Sequence, residues 1–137
     1  MGVTVLIGAV SVALAAIYFP PHFRGWGEVT AEQKVVGWAV NRSRPSERVE
    51  VQLFVDGRFV ANMVADLPRP DVAAAGKADD ERCGYSFRIP ALEAGEHVAH
   101  VYAMHKVGEG TFRTLQLTGK PLRFTVGEDG RVSASAR

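Results

Sequence analysis

The pattern of hydrophobic and polar positions divides the chain into two unequal parts. Residues 1–23 contain no Asp, Glu, Lys or Arg, and residues 3–19 form a mostly apolar run. A helix over that run covers about 26 Å at 1.5 Å per residue, close to the thickness of a bilayer core. We therefore predict one membrane-spanning helix. Its anchoring side chains are Val5, Leu6, Ile7, Val10, Val12, Leu14, Ile17, Tyr18 and Phe19.

Two other interpretations of this segment remain open. A cleaved signal peptide needs a basic start and a small-x-small cleavage site. Ala13 and Ala15 would supply the site, but the start has no Lys or Arg and the apolar run continues through Ile17. A buried core helix is the third interpretation. Pro20-Pro21 ends the helix in each case, because proline lacks the backbone N–H and restricts the residue before it.

The rest of the chain alternates with a period of two, which is typical of half-buried strands. The clearest example is residues 49–55, followed by Asp56-Gly57, a strong signal for a two-residue hairpin. Such runs predict strands at residues 25–30, 34–40, 49–55, 58–65, 85–89, 97–106, 112–117 and 122–126. Short strands separated by regular turns predict an antiparallel immunoglobulin-like β-sandwich over residues 24–127, with a flexible tail at 128–137.

The same alternation predicts which side chains form the core. The expected core aromatic residues are Trp38, Tyr85, Phe87 and Tyr102. Phe59, Ala61 and Met63 share one face of their strand, whereas Phe54 falls on the non-core face. If Phe54 is exposed together with Val60 or Val64, it would form an apolar patch suited to protein contact or sugar stacking.

The connection over residues 67–82 is long for so small a domain. We expect Arg69 and Asp71 to fix it to the sandwich, with Asp71 capping a helical turn through residues 72–75 that Gly76 ends. The alanines at 73–75 are expected to pack on the sheet edge. The connection is thus predicted to cover an edge strand and prevent edge pairing.

Part of the chain resembles a known kind of module. The stretches are Gly37-Trp38, Val49-Glu-Val-Gln-Leu-Phe-Val-Asp-Gly-Arg-Phe-Val-Ala61, Ala65-Asp66, Pro68-Arg-Pro-Asp-Val72, Gly76 and Gly84-Tyr-Ser-Phe-Arg-Ile-Pro90. They resemble small bacterial immunoglobulin-like β-sandwich modules found appended to glycosyltransferases and cell-envelope proteins. The resemblance covers roughly residues 37–102 and implies the fold and a bacterial envelope setting. It implies no site, and this chain has no glycosyltransferase domain.

Charge and composition narrow the possible functions. The net charge is +1, from 16 basic and 15 acidic residues, which lacks the basic excess of a nucleic-acid binder. One cysteine excludes an intrachain disulfide. On one strand His97 and His105 share a face and His100 points away, so they are poor joint metal ligands. We find no catalytic, cofactor or metal motif and expect a protein that is not an enzyme.

The leading hypothesis is therefore a non-enzymatic, single-pass accessory subunit of a larger bacterial membrane complex. Its expected partners are other membrane protein subunits and the lipid bilayer, and its expected location is the bacterial inner membrane. Arg24 and Lys34 weakly favour a cytoplasmic C-terminal domain. The alternative is a membrane-tethered carbohydrate-binding module with a glycan as partner. An exposed aromatic platform would favour that alternative, and the aromatic residues that could form it are Trp26, Trp38, Phe54, Tyr85 and Tyr102. For either hypothesis the candidate interaction residues are Trp26, Phe54, Arg69 and Asp71.

Overall fold

The computed structural model describes residues 23–107 and 112–135, which form a mainly β structure of antiparallel sheets. The strands are β1 (Phe23–Thr30), β2 (Lys34–Asn41), β3 (Val49–Val55), β4 (Arg58–Ala65), β5 (Leu67–Pro68), β6 (Arg82–Arg88), β7 (Gly95–Val107), β8 (Phe112–Leu117), β9 (Leu122–Val126) and β10 (Val132–Ala134). One short helix, α1 (Pro70–Ala74), lies between β5 and β6. The predicted anchor over residues 1–23 lies outside the described residues except for Phe23, which is buried at the start of β1.

The strands form two sheets, consistent with a β-sandwich. Sheet 1 has the order β1-β2-β6-β5, and sheet 2 has the order β10-β9-β7-β3-β4, with β8 also paired to β7. Strand β7 is long enough to pair with β9 over residues 95–99 and with β8 over residues 102–107. The two sheets share one hydrophobic core. Its fully buried members include Val35, Val51, Leu53, Val101 and Phe124.

Three sequence-based expectations about the sheets are wrong in detail. Tyr102 is half-buried on the outer face of sheet 2, because it lies opposite Leu117 and Gln52 rather than over the core. Phe59 is exposed, because a register shift between Leu53 and Phe54 places it opposite Phe54. The expected tail contains β10, which pairs with β9 and buries Val132.

The Tyr85 side chain of β6 lies against Gly37 of β2 and Gly27 of β1, and it links the three strands. The Tyr85 hydroxyl donates a hydrogen bond to the main-chain oxygen of Trp26 at 3.2 Å. To reach β1 the ring crosses Gly37, where a Cβ atom would lie 2.6 Å from the hydroxyl and 2.0 Å from the oxygen of Trp26. Burial raises the pKa of Tyr85 far above its usual range, so the group acts as a permanent donor.

The Asp56-Gly57 hairpin predicted from the sequence is confirmed and is tied to β7. Asp56 and Gly57 both have positive φ, 51° and 78°, as a type I′ turn requires. The Asp56 carboxylate accepts hydrogen bonds from the Val98 N–H at 3.0 Å and from His97 Nδ1 at 2.5 Å. His97 Nε2 lies 2.7 Å from the oxygen of Glu93, so both ring nitrogens face acceptors. The hydrogen bond to Asp56 raises the pKa of His97, and the same bond lowers the pKa of Asp56.

This pair gives the domain a pH-dependent contribution to stability. The His97 contribution is present below its ordinary pKa of 6.5 and is lost as pH rises through the raised value. The Asp56 contribution is present above 3.8 and is lost as pH falls through the lowered value. We expect His97→Gln to lower the urea midpoint most between pH 3.8 and 6.5, and least once the pH has risen through the raised pKa of His97. His100→Gln is the control, and an equal loss at all pH values would contradict a charged pair.

Candidate functional site

Two surfaces of the described structure differ from an ordinary sandwich exterior. The first, the aromatic face, lies on the outer side of sheet 2. It is formed by Phe54, Phe59, Tyr102, Leu115 and Leu117. The second, the tryptophan groove, lies on the outer side of sheet 1. It is lined by Arg24, Gly25, Trp26, Trp38, Arg69, Asp71, Val72, Ala75 and Lys77.

The aromatic face is built by strand pairing rather than by a loop. Phe54 makes edge-to-face contacts with Phe59 at 5.7 Å and with Tyr102 at 5.3 Å between ring centroids. Phe59 is 57% exposed, and Leu115 and Leu117 on β8 extend the apolar surface. A contiguous apolar surface that is exposed to solvent marks a binding site more often than scattered hydrophobic residues do. The sequence predicted Phe54 as a candidate but missed Phe59, Leu115 and Leu117.

A carboxyl group with one buried oxygen atom lies beside the aromatic face. Glu50 stands on β3 between Val64 of β4 and Met104 of β7. Its Oε2 atom is buried and has no hydrogen-bond partner among the described residues. A buried carboxylate oxygen without a donor is costly. Because this oxygen is covered by the protein's own atoms, a partner can approach the half-buried Glu50 side chain only elsewhere on its carboxyl group.

The tryptophan groove contains the residues that the sequence singled out in the long connection. Trp38 is 6% exposed and packs with Val72 of α1 and Cys83 in a small second core. Trp26 lies opposite Trp38 in the β1–β2 pairing and is 45% exposed. The expectation that Trp38 belongs to the main core is therefore corrected, since α1 covers it from outside the sheet.

Arg69 and Asp71 form an ion pair with each other, and the Arg69 side chain also lies over Gly84 of β6. The Arg69 guanidinium donates two hydrogen bonds to the Asp71 carboxylate at 2.9 and 2.8 Å. This pair lowers the pKa of Asp71 to about 2. Asp71 is not a helix cap: Arg69 occupies the cap position without a side-chain hydrogen bond, and Asp71 lies in the first turn.

The connection is held by contacts that the sequence analysis missed. The Arg69 N–H donates to the oxygen of Glu81 at 2.6 Å, and Arg48 binds Asp80 at 3.0 Å. Val72 packs inward, whereas Ala74 and Ala75 are exposed, so the alanine turn does not form the predicted packing contact. Arg48 gave no sequence signal, because its partner Asp80 lies 32 positions away.

The one thiol of the chain, Cys83, is poorly placed to act as a nucleophile. Cys83 is buried, and that burial raises the pKa of its thiol, which disfavours the nucleophilic thiolate. Across residues 23–107 and 112–135, no three His, Cys, Asp or Glu side chains gather as a metal site would require. In the same ranges no helix is long and apolar enough to cross a membrane.

Comparisons with known proteins add no assignment. No protein-family model, curated protein or solved structure matches the chain.

Proposed function

We propose that the protein is a non-enzymatic accessory subunit of a bacterial membrane complex. In this proposal residues 1–23 anchor it in the inner membrane, and an immunoglobulin-like sandwich binds a neighbouring subunit. The apolar, uncharged N-terminal sequence supports the anchor. The aromatic face is the observation that carries the binding role, because Phe59 and its neighbours expose a contiguous apolar surface.

The chemistry of this face defines the partner. Exposed aromatic rings and leucines call for an apolar protein surface, since aromatic residues dominate the energetic centres of interfaces. The half-buried acidic side chain of Glu50 at the border of that surface favours a basic side chain on the partner. We therefore propose a protein partner that presents an apolar patch with one Lys or Arg placed to meet Glu50.

Purification of the tagged full chain in a mild detergent tests this role. The wild type is expected to bring down one membrane protein at constant stoichiometry. Phe59→Asp should weaken that association by about 30-fold or more, as loss of a central aromatic residue costs at least about 2 kcal/mol. Glu50→Lys should also weaken it, because the new charge repels the basic group expected on the partner.

The matched control is Leu67→Ser on β5. Leu67 is 39% exposed and belongs to sheet 1, so its loss should leave the association unchanged. Recovery of the wild type without a stoichiometric partner would contradict the proposal. Equal recovery of the partner with Phe59→Asp and with the wild type would also contradict it.

A membrane-tethered carbohydrate-binding module is the second candidate. The specific observation in its favour is Trp26, which presents a large exposed ring beside charged groups on the outer side of sheet 1. An indole face suits the C–H groups of a sugar ring, whereas its edges leave polar neighbours free to bind hydroxyls. A glycan array with the purified protein tests this candidate directly.

A further inference from the structure

The tryptophan groove combines an exposed indole with an excess of positive charge. Its volume is about 440 Å³, which falls within the range of small-ligand pockets. A second hollow of about 200 Å³ adjoins it and shares Arg24 and Lys77 with it. The second hollow is lined by the end of β2 and by the chain that follows α1.

The groove exists because α1 covers Trp38 but leaves Trp26 exposed. Val72 buries Trp38, and the helix then ends at Ala74. The chain turns away through Gly76, with the Lys77 N–H donating to the oxygen of Val72 at 3.1 Å. Trp26, one strand further out, is left uncovered. The helix end thus fixes an exposed indole beside a rigid, buried one.

The charges around the groove are unequally paired. Arg69 is neutralised by Asp71 through the two hydrogen bonds described above. Arg24 and Lys77 have no carboxylate within ion-pair distance in residues 23–107 and 112–135, and Arg42 in the adjoining hollow has none there either. Asp79 is the one acidic residue that lines the adjoining hollow, and it has no basic partner within ion-pair distance among the described residues. The groove therefore carries a net positive charge on a nearly neutral protein.

We infer that the groove binds an anionic saccharide. The sugar ring stacks on the exposed face of Trp26, and its carboxylate or phosphate group lies between Arg24 and Lys77. The ring–indole contact supplies apolar area, and the cations supply the preference for acidic over neutral sugars. A polynucleotide is a poorer occupant, since a net charge of +1 provides no extended basic track. This inference sharpens the carbohydrate candidate and is independent of the aromatic face.

The position of the tryptophans allows a direct measurement. The chain has two tryptophans and both line the groove, so intrinsic fluorescence reports its occupation without a label. The full chain is purified in a polyoxyethylene detergent, because sugar-based detergents would compete for the site. It is titrated with a tetramer of galacturonic acid, with a neutral galactose tetramer and with inorganic phosphate.

The acidic tetramer is expected to bind at least tenfold more tightly than the neutral tetramer or phosphate. Its affinity should fall as salt is raised from 50 to 500 mM, because the cations are solvent-accessible. Calorimetry should show that Trp26→Ala abolishes binding and that Arg24→Gln and Lys77→Gln each weaken it several-fold. Asp71→Asn should strengthen it, because Arg69 then becomes available to the ligand. Phe59→Ala on the opposite sheet is the control and should bind as the wild type does.

Each contrary result overturns a defined part of the inference. Equal binding of the neutral and acidic tetramers would overturn the anionic class but leave a carbohydrate module. Equal binding of phosphate would reduce the site to a simple anion site. Binding of neither tetramer, or full binding by Trp26→Ala, would overturn the saccharide site. None of these results affects the test of the aromatic face, in which Phe59→Asp is expected to weaken the association with a protein partner.

Discussion

Replacing Gly37 with alanine is expected to destabilise the domain severely. The added Cβ would lie 2.0 Å from the main-chain oxygen of Trp26 and 2.6 Å from the Tyr85 hydroxyl. The first of these atoms belongs to the backbone of the paired strand, so no side-chain rotation relieves the overlap. We expect a loss of more than about 3 kcal/mol, a large part of the stability of a domain of this size. Circular dichroism and urea unfolding of the purified protein measure it.

Gly127→Ala provides the matched control for this prediction. Its added Cβ would lie 2.7 Å from Asp129 Oδ1, an atom of an exposed side chain that can shift, and at an ordinary contact distance of 3.7 Å from the main-chain oxygen of Arg131. We expect a change of less than about 0.5 kcal/mol, as for other surface substitutions. A Gly37→Ala protein that unfolds at the wild-type urea concentration would show that β1 and β2 do not approach as closely as the Tyr85 hydrogen bond implies.

The second large effect is expected at Phe124, the largest fully buried side chain of the core. Phe124 lies on β9 and is 0% exposed, with His97 stacked on its ring at 5.6 Å between centroids. Truncation to alanine removes a buried ring and leaves a cavity that the strands of a sandwich cannot easily close. We expect Phe124→Ala to lower the free energy of unfolding by about 3–5 kcal/mol. The shift in the denaturant midpoint measures it.

Phe59→Ala makes the same chemical change on the exposed aromatic face. Because Phe59 already contacts water over 57% of its surface, we expect a loss below about 1 kcal/mol. Because both substitutions remove the same ring, the difference between their stability losses measures the effect of burial. Similar losses at both positions would mean that sheet 2 is covered on its outer side in the isolated protein.

The strands could be predicted from the sequence because their signals are local. Alternation placed β3, β4, β8 and β9 at the bounds that the structure shows, and Asp56-Gly57 identified the hairpin that joins the first two of these strands. Strands β5 and β10 were missed, since runs of two and three residues contain too little alternation to detect. Their pairing depends on neighbours distant in the chain.

The candidate sites depend on information that alternation does not contain. Phe59 was expected to face the core, and a one-residue shift in register moved it to the outside. Trp38 was expected in the main core, but it lies on the outer face of sheet 1, where α1 covers it. The alternation of apolar and polar residues along a strand contains no information about such a cover. Trp26 was recognised as a candidate. Its nearness to Arg24, Arg69 and Lys77 depends on how the connection after β5 folds back, which no local signal specifies.

The aromatic face and the tryptophan groove lie on opposite outer sides of the sandwich, one on each sheet. Two occupants would therefore be separated by both sheets and the core between them, a layer about 10 Å thick between the sheets alone. Neither occupant would block the other by contact, and changes at sites this far apart with no shared partners usually contribute independently. The free energies of the two binding events should then add without coupling. Such a protein would work as a rigid spacer that sets the distance between two surfaces.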